Sequence, residues 1–500
     1  MGEIVPVPPI LYGAAGTALG YYSFRFLARQ EALSGVLALM VALVSVLHVL
    51  ACHPWATGLS VKVQRQMRRF RIYALVLALG VALGLSVGSQ ISALWFGIPE
   101  DQVRGLYGSL TEDPRAFPDY RGMASLSVYQ VEGPGGLKAS ARGSVQVFFP
   151  ADSFPRIQAF GRGSVVYLPG TLITPPQATG NTPPKRFRAQ ALHLLKPASA
   201  LEQRRTRGRM RLRERLEDAP WAGLAEALLL GVKDNLDTEV AVAFRSAGCS
   251  HILALSGMHL ALLTTVLTFL LTRVLGLKAA AVGGGLGIIA YVYMAGNFPS
   301  LTRAAIMYLL GSLCALGPFP KSGVRVRQRA VLGMAFIIQL IGSPQAGQSL
   351  SFILSYLALG GLLFIAPAIH DLFRGRLPEI LAQPLAASIG AFIATAPVSA
   401  WVFGVLRPVG ILAGLLIVPL VTAFMLIALA AWILPGTALG LILTILYDIL
   451  TGIAAGSARI PGISGAAPWV VMTLSLGSAG VLMAVSHRQT LRRSILVPFD

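Results

Sequence analysis

Arg245-Ser-Ala-Gly-Cys-Ser-His-Ile-Leu-Ala-Leu-Ser-Gly-Met-His259 runs directly into an apolar sequence over residues 260–271. It puts His251, Ser256, Gly257 and His259 at the mouth of, or inside, a segment long enough to cross a bilayer. Polar side chains there cost free energy and usually mark function. The same contrast holds along the chain: of 500 residues, 55% are hydrophobic and 12% charged, against about 25% charged in an ordinary soluble domain. This excludes a soluble globular protein and predicts a polytopic α-helical membrane protein. Basic residues outnumber acidic ones by 41 to 21, an excess that points to an anionic partner, either lipid headgroups or nucleic acid.

Runs near the roughly 20 residues needed to span a bilayer cover residues 10–27, 33–52 and 72–96, the first two expected as a helical hairpin. Further runs cover 251–272, 279–295, 301–316, 330–341, 350–368, 385–403, 411–434, 438–455 and 469–485. Together they predict about 10–12 spans. Lys62-Val-Gln-Arg-Gln-Met-Arg-Arg-Phe-Arg71 reads as a short cytoplasmic loop by the positive-inside rule, as do the loop with Lys321, Arg325, Arg327 and Arg329 and the tail with Arg488, Arg492 and Arg493.

Over residues 97–197 the apolar runs shorten, Gly and Pro punctuate, and period-two alternation appears. Strands are expected at 103–110, 124–131, 138–149, 164–168 and 187–195, which suits an inserted small OB-like β-barrel on the external side. A basic run follows, Arg204-Arg-Thr-Arg-Gly-Arg-Met-Arg-Leu-Arg-Glu-Arg215. Arg204, Arg205, Arg207, Arg209, Arg211, Arg213 and Arg215 read either as a solvated or headgroup-bound helix or as a surface that gathers a polyanion. Residues 221–232 are apolar but too short to span, and 233–245 form a short amphipathic helix with Asp237 as its N-cap.

In the opening motif, Ser256 and His259 are three apart and so share a helical face, Gly257 weakens the helix between them, and His251 lies about 80° round the same cylinder. They line a polar path or make interhelical hydrogen bonds. Ala254-Leu-Ser-Gly257 resembles the Gly-x-Ser-Gly of rhomboid-like intramembrane proteases, but a Ser-His dyad would need its His on another span. Arg303, near the head of a span, is a headgroup anchor or a cationic contact for phosphates. Gln348, Ser351 and Ser355 recur at helical spacing as an uncharged polar stripe, or as interhelical glue. Pro397, Pro408 and Pro419 can break helices in spans, and Asp448 would need a partner. Cys52, Cys249 and Cys314 have no metal-ligand spacing, and no two of the seven histidines form a His-x-His. No metal, cofactor or nuclease activity is therefore expected.

The sequence Gly248-Cys-Ser-His-Ile-Leu-Ala-Leu-Ser-Gly-Met-His-Leu260 resembles the signature of the ComEC competence family. Ser300-Leu-Thr-Arg-Ala-Ala-Ile-Met307 and Leu350-Ser-Phe352 are similar to further family elements, with Ser349 where the family has Gln. Gly161-Arg-Gly-Ser-Val-Val-Tyr-Leu-Pro-Gly170 resembles the family's external OB-type domain. The resemblance implies conduction of single-stranded DNA across the cytoplasmic membrane, not enzymatic catalysis, with His251, Ser256, Gly257, His259, Arg303, Gln348, Ser351 and Ser355 along the path. The arginine run would collect the strand. It implies membrane helices over 1–96, an extracytoplasmic OB-like domain over 97–197, a basic and amphipathic connector over 198–248, a competence-type transmembrane domain over 249–486 and a basic tail over 487–500. The implied partners are single-stranded DNA, membrane lipids and separate receptor, nuclease and cytoplasmic motor proteins, since the chain has no phosphate-loop motif. A secondary transporter of a small anion is the alternative; it would show paired, symmetry-related helix interruptions. A lipid-interacting scaffold would instead use the arginines as a headgroup patch.

Overall fold

The computed structural model describes residues 8–27, 61–89, 94–117, 121–150, 160–173, 186–216, 219–296, 298–316, 324–433, 437–465 and 467–495. The helices, in chain order, are α1 (Pro9–Leu27), α2 (Val61–Ser89), α3 (Ala200–Glu214), α4 (Ala222–Leu230), α5 (Thr238–Ser246), α6 (Gly257–Ala295) and α7 (Pro299–Leu316). Then come α8 (Val324–Gly342), α9 (Leu350–Gly360), α10 (Ala366–Phe373), α11 (Glu379–Phe403), α12 (Val409–Ile433), α13 (Thr437–Ala458) and α14 (Pro468–Ile495). The chain divides into two compact units: residues 1–91, 302–406 and 463–500, and residues 92–301 and 407–462.

Among the described residues, six helical segments are long and apolar enough to cross a membrane: Ile72–Ser89, Gly257–Val274, Leu350–Phe373, Glu379–Phe403, Val409–Trp432 and Ala438–Ala458. Val282–Ala295, Gln328–Gly342 and Trp469–Leu482 are shorter apolar helices. The expected runs 10–27 and 301–316 fall on α1 and α7, whereas the run 33–52 lies outside the described residues.

In the first unit, α1 packs along α2. Small residues permit this: a Cβ at Gly16 would lie 2.2 Å from the Leu77 carbonyl oxygen, and one at Gly84 2.2 Å from that of Thr17, so the backbones touch as in small-residue membrane pairs. The basic stretch 62–71, expected as a loop, is helical and forms the start of α2. It contains no Gly or Pro, and Lys, Arg, Gln and Met are good helix formers. Arg325, Arg327 and Arg329 likewise open α8, and α14 continues through Ile495 across the expected tail.

A π-helical turn, Gly361–Ile365, joins α9 to α10. Pro367 follows it; the proline ring crowds the carbonyl four residues back and offers it no N–H. That carbonyl, Leu363, accepts from Arg329 Nη2 at 3.0 Å and Nε at 3.3 Å, and the guanidinium also lies 4.7 Å over the Phe364 ring.

In the second unit, the strands are β1 (Trp95–Phe96), β2 (Gly105–Leu110), β3 (Arg115–Phe117), β4 (Arg121–Glu132), β5 (Lys138–Phe149), β6 (Val165–Ile173), β7 (Arg186–Ala189) and β8 (His193–Lys196). The expected strand 187–195 is two strands, β7 and β8, and β1 and β3 went unread because two or three residues carry no visible alternation. Pairing runs from β2 to β4, β5, β7 and β6 and returns to β2, and every pair in the circuit is antiparallel except β5–β7. Inside lie Leu106, Leu126, Val147, Leu168 and Phe187, each essentially buried. A second core joins α4, α5, α12 and α13 through Leu228, Phe244, Ile417, Phe424 and Leu450.

The two runs 251–272 and 279–295 are the halves of α6, which reverses at Gly276 with φ of 76°, a backbone only glycine adopts without strain. Across the reversal, a Cβ at Gly287 would meet Leu267 Cδ2 at 2.2 Å and one at Gly283 would meet Leu271 Cδ1 at 2.8 Å.

Arg329→Met should destabilise the protein by about 1–3 kcal/mol by stranding the Leu363 carbonyl. In a Pro367→Ala background, which returns a backbone N–H, the same substitution should cost less. Unfolding midpoints of the four proteins in detergent give the coupling; equal costs in the two backgrounds would show that Arg329 does not serve this carbonyl.

Candidate functional site

Helix α3 starts at Ser199, whose hydroxyl accepts from the Glu202 N–H at 3.3 Å. It presents two faces of opposite character. Arg205 and Arg209 are buried, and Arg213 is 18% exposed; spaced by four, they form one stripe. Arg204, Arg207, Arg211 and Arg215 are exposed on the other side. The expectation that all seven arginines form one exposed surface is thus corrected: Arg205, Arg209 and Arg213 are bonded inside the unit, and four are exposed.

The buried stripe is matched group by group. Arg205 pairs with Asp113 and, at 2.7 Å, with Glu202, which also takes Arg162 at 2.8 Å. Arg209 donates to the carbonyls of Met294 and Ala295 at the end of α6. Burial pulls its guanidinium down to about 10, with Asp113 opposing, so it stays charged at neutral pH. Arg213 reaches Glu226 at 3.2 Å and Asp234 at 3.3 Å, and Asn235 donates to Glu226 at 3.1 Å. Glu226 has no exposed surface. Removing one partner of such a pair costs about 3–5 kcal/mol, because it leaves a buried charge alone.

The opening motif lies in the same unit. Helix α5 is capped by Asp237, as its sequence predicts, with the carboxylate accepting from the Glu239 N–H at 2.8 Å. After it, Gly248 turns with φ of 75° against Gly410, where a Cβ would lie 3.0 Å from the Gly248 carbonyl oxygen. Arg407 donates to the Ser246 carbonyl at 2.8 Å. This brings the motif onto the Arg407-Pro-Val-Gly410 segment.

Helix α6 begins at Gly257, not at residue 251, so His251 sits in an exposed turn before the helix and does not share a cylinder with His259. Ser256 is the N-cap and Gly257 the first helical residue, so Gly257 starts the helix rather than weakening it. His259, 1% exposed, turns back to accept the Ser256 backbone N–H on Nδ1 at 3.4 Å, taking the role that Glu or Gln plays in a capping box. The His259 Nε2 has no partner among the described residues. The Leu255 carbonyl accepts from the Ser300 hydroxyl at 2.5 Å.

In the first unit, Arg303 is buried, donates to the Ser355 carbonyl and lies 5.7 Å over the Tyr356 ring. Tyr356 in turn donates to Gln339 Oε1 at 2.9 Å. Arg303 is therefore held inside the protein, not snorkelled to a headgroup. The expected stripe is rearranged: Gln348 ends a 3₁₀ turn, Pro344–Gln348, and Ser349 caps α9 by accepting from the Phe352 N–H at 3.2 Å. Gln348 and Ser351 are exposed, and Ser355 contributes its carbonyl.

Sequence reasoning missed the acids. Asp113, Glu202, Glu226 and Asp234 hold the buried arginines, and Gln339 anchors Tyr356. Only Glu226 left a signal: a carboxylate amid the apolar Ala222-Gly-Leu-Ala-Glu-Ala-Leu-Leu-Leu230, following an arginine run.

A family model described as "Competence protein" matches residues 228–489, more than half of the chain. The chain is similar to "ComE operon protein 3" of Bacillus subtilis (strain 168), 29% identical over 230 residues, covering 44% of this chain and 26% of that protein. It is also similar to an "Uncharacterized protein" of Aquifex aeolicus (strain VF5), 30% identical over 216 residues, covering 43% of this chain and 48% of that one. The alignments thus span about a quarter and about half of these relatives.

Burial pushes the Glu226 carboxyl above its ordinary value of 4.5, with Arg213 opposing. Its folded state therefore holds the proton more tightly than the unfolded one. That contribution to stability is present below 4.5 and is lost as pH rises through the folded value. Glu226→Gln, which keeps an acceptor for Asn235, should flatten the fall of the unfolding midpoint with pH above about 4.5. Midpoints of wild type and variant measured from about pH 4 to 8 at one scan rate check this.

Proposed function

We propose that this chain, which belongs to the Competence protein family, takes part in DNA uptake as a multi-pass membrane conduit for single-stranded DNA. The family match over residues 228–489 carries the reading, and the exposed stripe Arg204, Arg207, Arg211 and Arg215 fits it chemically. A backbone of phosphodiesters laid along these guanidiniums releases its condensed counterions, which makes binding favourable and salt-dependent without regard to sequence.

In this reading the strand circuit β2-β4-β5-β7-β6 is a small OB-like barrel on the extracytoplasmic side, within residues 97–197. The connector 198–248 gathers the strand, and the transmembrane part 249–486 passes it on. His251, Ser256, Gly257 and His259, and separately Arg303, Gln348, Ser351 and Ser355, are the proposed path residues. The Ser256 cap fits a threshold better than a nucleophile, since the nitrogen that His259 turns to it takes a backbone N–H and not the hydroxyl. A receptor, a nuclease and a cytoplasmic motor would be separate partners, and membrane lipids the solvent.

The test is the quadruple variant Arg204→Gln, Arg207→Gln, Arg211→Gln and Arg215→Gln, purified in detergent beside wild type. The salt slope of its affinity for a fluorescent thymidine oligonucleotide should fall by up to about 3, at about 0.7 for each phosphate no longer neutralised. Its unfolding midpoint should stay near that of wild type, because the buried arginines are kept. Unchanged affinity and slope would overturn the collecting role of this face.

A further inference from the structure

Beside the buried arginine stripe, the second unit encloses a partly open cavity of about 80 Å³. Its walls come from the β2–β3 turn, the loop at Arg162, the inner face of α3, the loop after α4 and the end of α6. Five guanidiniums line it: Arg115, Arg162, Arg205, Arg209 and Arg213. The acids that line it are Glu112, Asp113 and Asp234, and Glu202 and Glu226 stand behind the wall against Arg162, Arg205 and Arg213, so the guanidiniums are matched in charge and the wall's interest lies in its unused donors.

Two donors in this wall are left over. Arg205 Nε and Thr206 Oγ1 are buried and have no hydrogen-bond partner among the described residues. Arg205 is 4% and Thr206 8% exposed. A buried donor without an acceptor costs about 1–3 kcal/mol, and a native fold keeps such groups where something else satisfies them. Arg115 and Arg162 are less constrained. Arg115 lies 5.2 Å over the Phe298 ring and holds an exposed Glu112 at 3.0 Å. The Arg162 side chain is 37% exposed.

We propose that this cavity binds a phosphate group. A tetrahedral oxyanion supplies acceptors to several donors at once, and guanidinium forks match it in a charge-assisted, often bidentate geometry. Arg205 Nε and the Thr206 hydroxyl are its fixed donors, with Arg115 and Arg162 closing from the solvent side. The site is distinct from the exposed arginine stripe and does not depend on the chain conducting DNA. A free monoester, a nucleic-acid phosphodiester and a lipid headgroup all present the same oxygens to it.

The full chain in detergent would be titrated with inorganic phosphate against chloride at matched ionic strength, following the unfolding midpoint and the heat of binding. Phosphate should raise the midpoint above that in chloride. Thr206→Val, which removes the hydroxyl at nearly constant shape, and Arg162→Gln should each weaken phosphate binding by about tenfold, as expected for one lost charge-assisted hydrogen bond. Thr206→Val should leave the midpoint in chloride near that of wild type, whereas Arg162→Gln also loses its pair with Glu202 and is read against its own midpoint in chloride. Competition assigns the source: displacement of phosphate by a thymidine oligonucleotide but not by its uncharged methylphosphonate analogue identifies a phosphodiester. Displacement by phosphatidylglycerol in mixed micelles identifies a headgroup, and by neither a free phosphate. Equal effects of phosphate and chloride, or phosphate binding unchanged in Thr206→Val, would overturn the proposal. The quadruple arginine variant should bind phosphate as wild type does, which separates this site from the collecting face.

Discussion

A guanidinium keeps its charge wherever the fold puts it, so an arginine taken inside must be met by carboxylates or carbonyls brought there with it. Much of the second unit is arranged around this demand. Asp113 comes from the turn after β2, Glu202 from the first turn of α3, Glu226 from the middle of α4 and Asp234 from the loop beyond. The carbonyls of Met294 and Ala295 come from the end of α6. One stripe of three arginines therefore fixes the turn after β2, two helices and the end of α6 against each other. It also explains how α3 carries so many like charges, for only one of its faces has to meet water.

A related demand, that no backbone group be stranded away from water, shapes the membrane helices. Where Pro367 takes away an N–H, Arg329 supplies one from α8. Where α9 begins, the Ser349 hydroxyl receives the Phe352 N–H. Where α6 begins, the ring of His259 receives the Ser256 N–H. Polar residues in these segments thus have a structural use before any functional one. Among the described residues, His259 Nε2 and Arg303 Nε are buried without a hydrogen-bond partner.

The membrane helices were legible because a bilayer imposes one requirement on composition over a fixed length, and that requirement is written in consecutive residues. The cap at Asp237 was legible for the same local reason. The basic stretches 62–71 and 324–329 were misread as loops: charge indicates the side of a membrane but not where a helix stops, and nothing in those residues breaks a helix. The motif residues were read as a helical face because spacing alone cannot tell whether a polar residue before a glycine is inside a helix or is its cap.

The sequence by itself determined the helical membrane framework, the inserted strand-rich segment, the basic excess and the family signature, because each is a property of composition or of neighbours within a few residues. Only the tertiary structure decided which arginines of α3 face water and which lie inside. Their partners come from Asp113, 92 positions before Arg205 in the chain, and from Glu226 and Asp234 on later elements. Which charge meets which is settled by the packing of separate elements, and no local pattern records it.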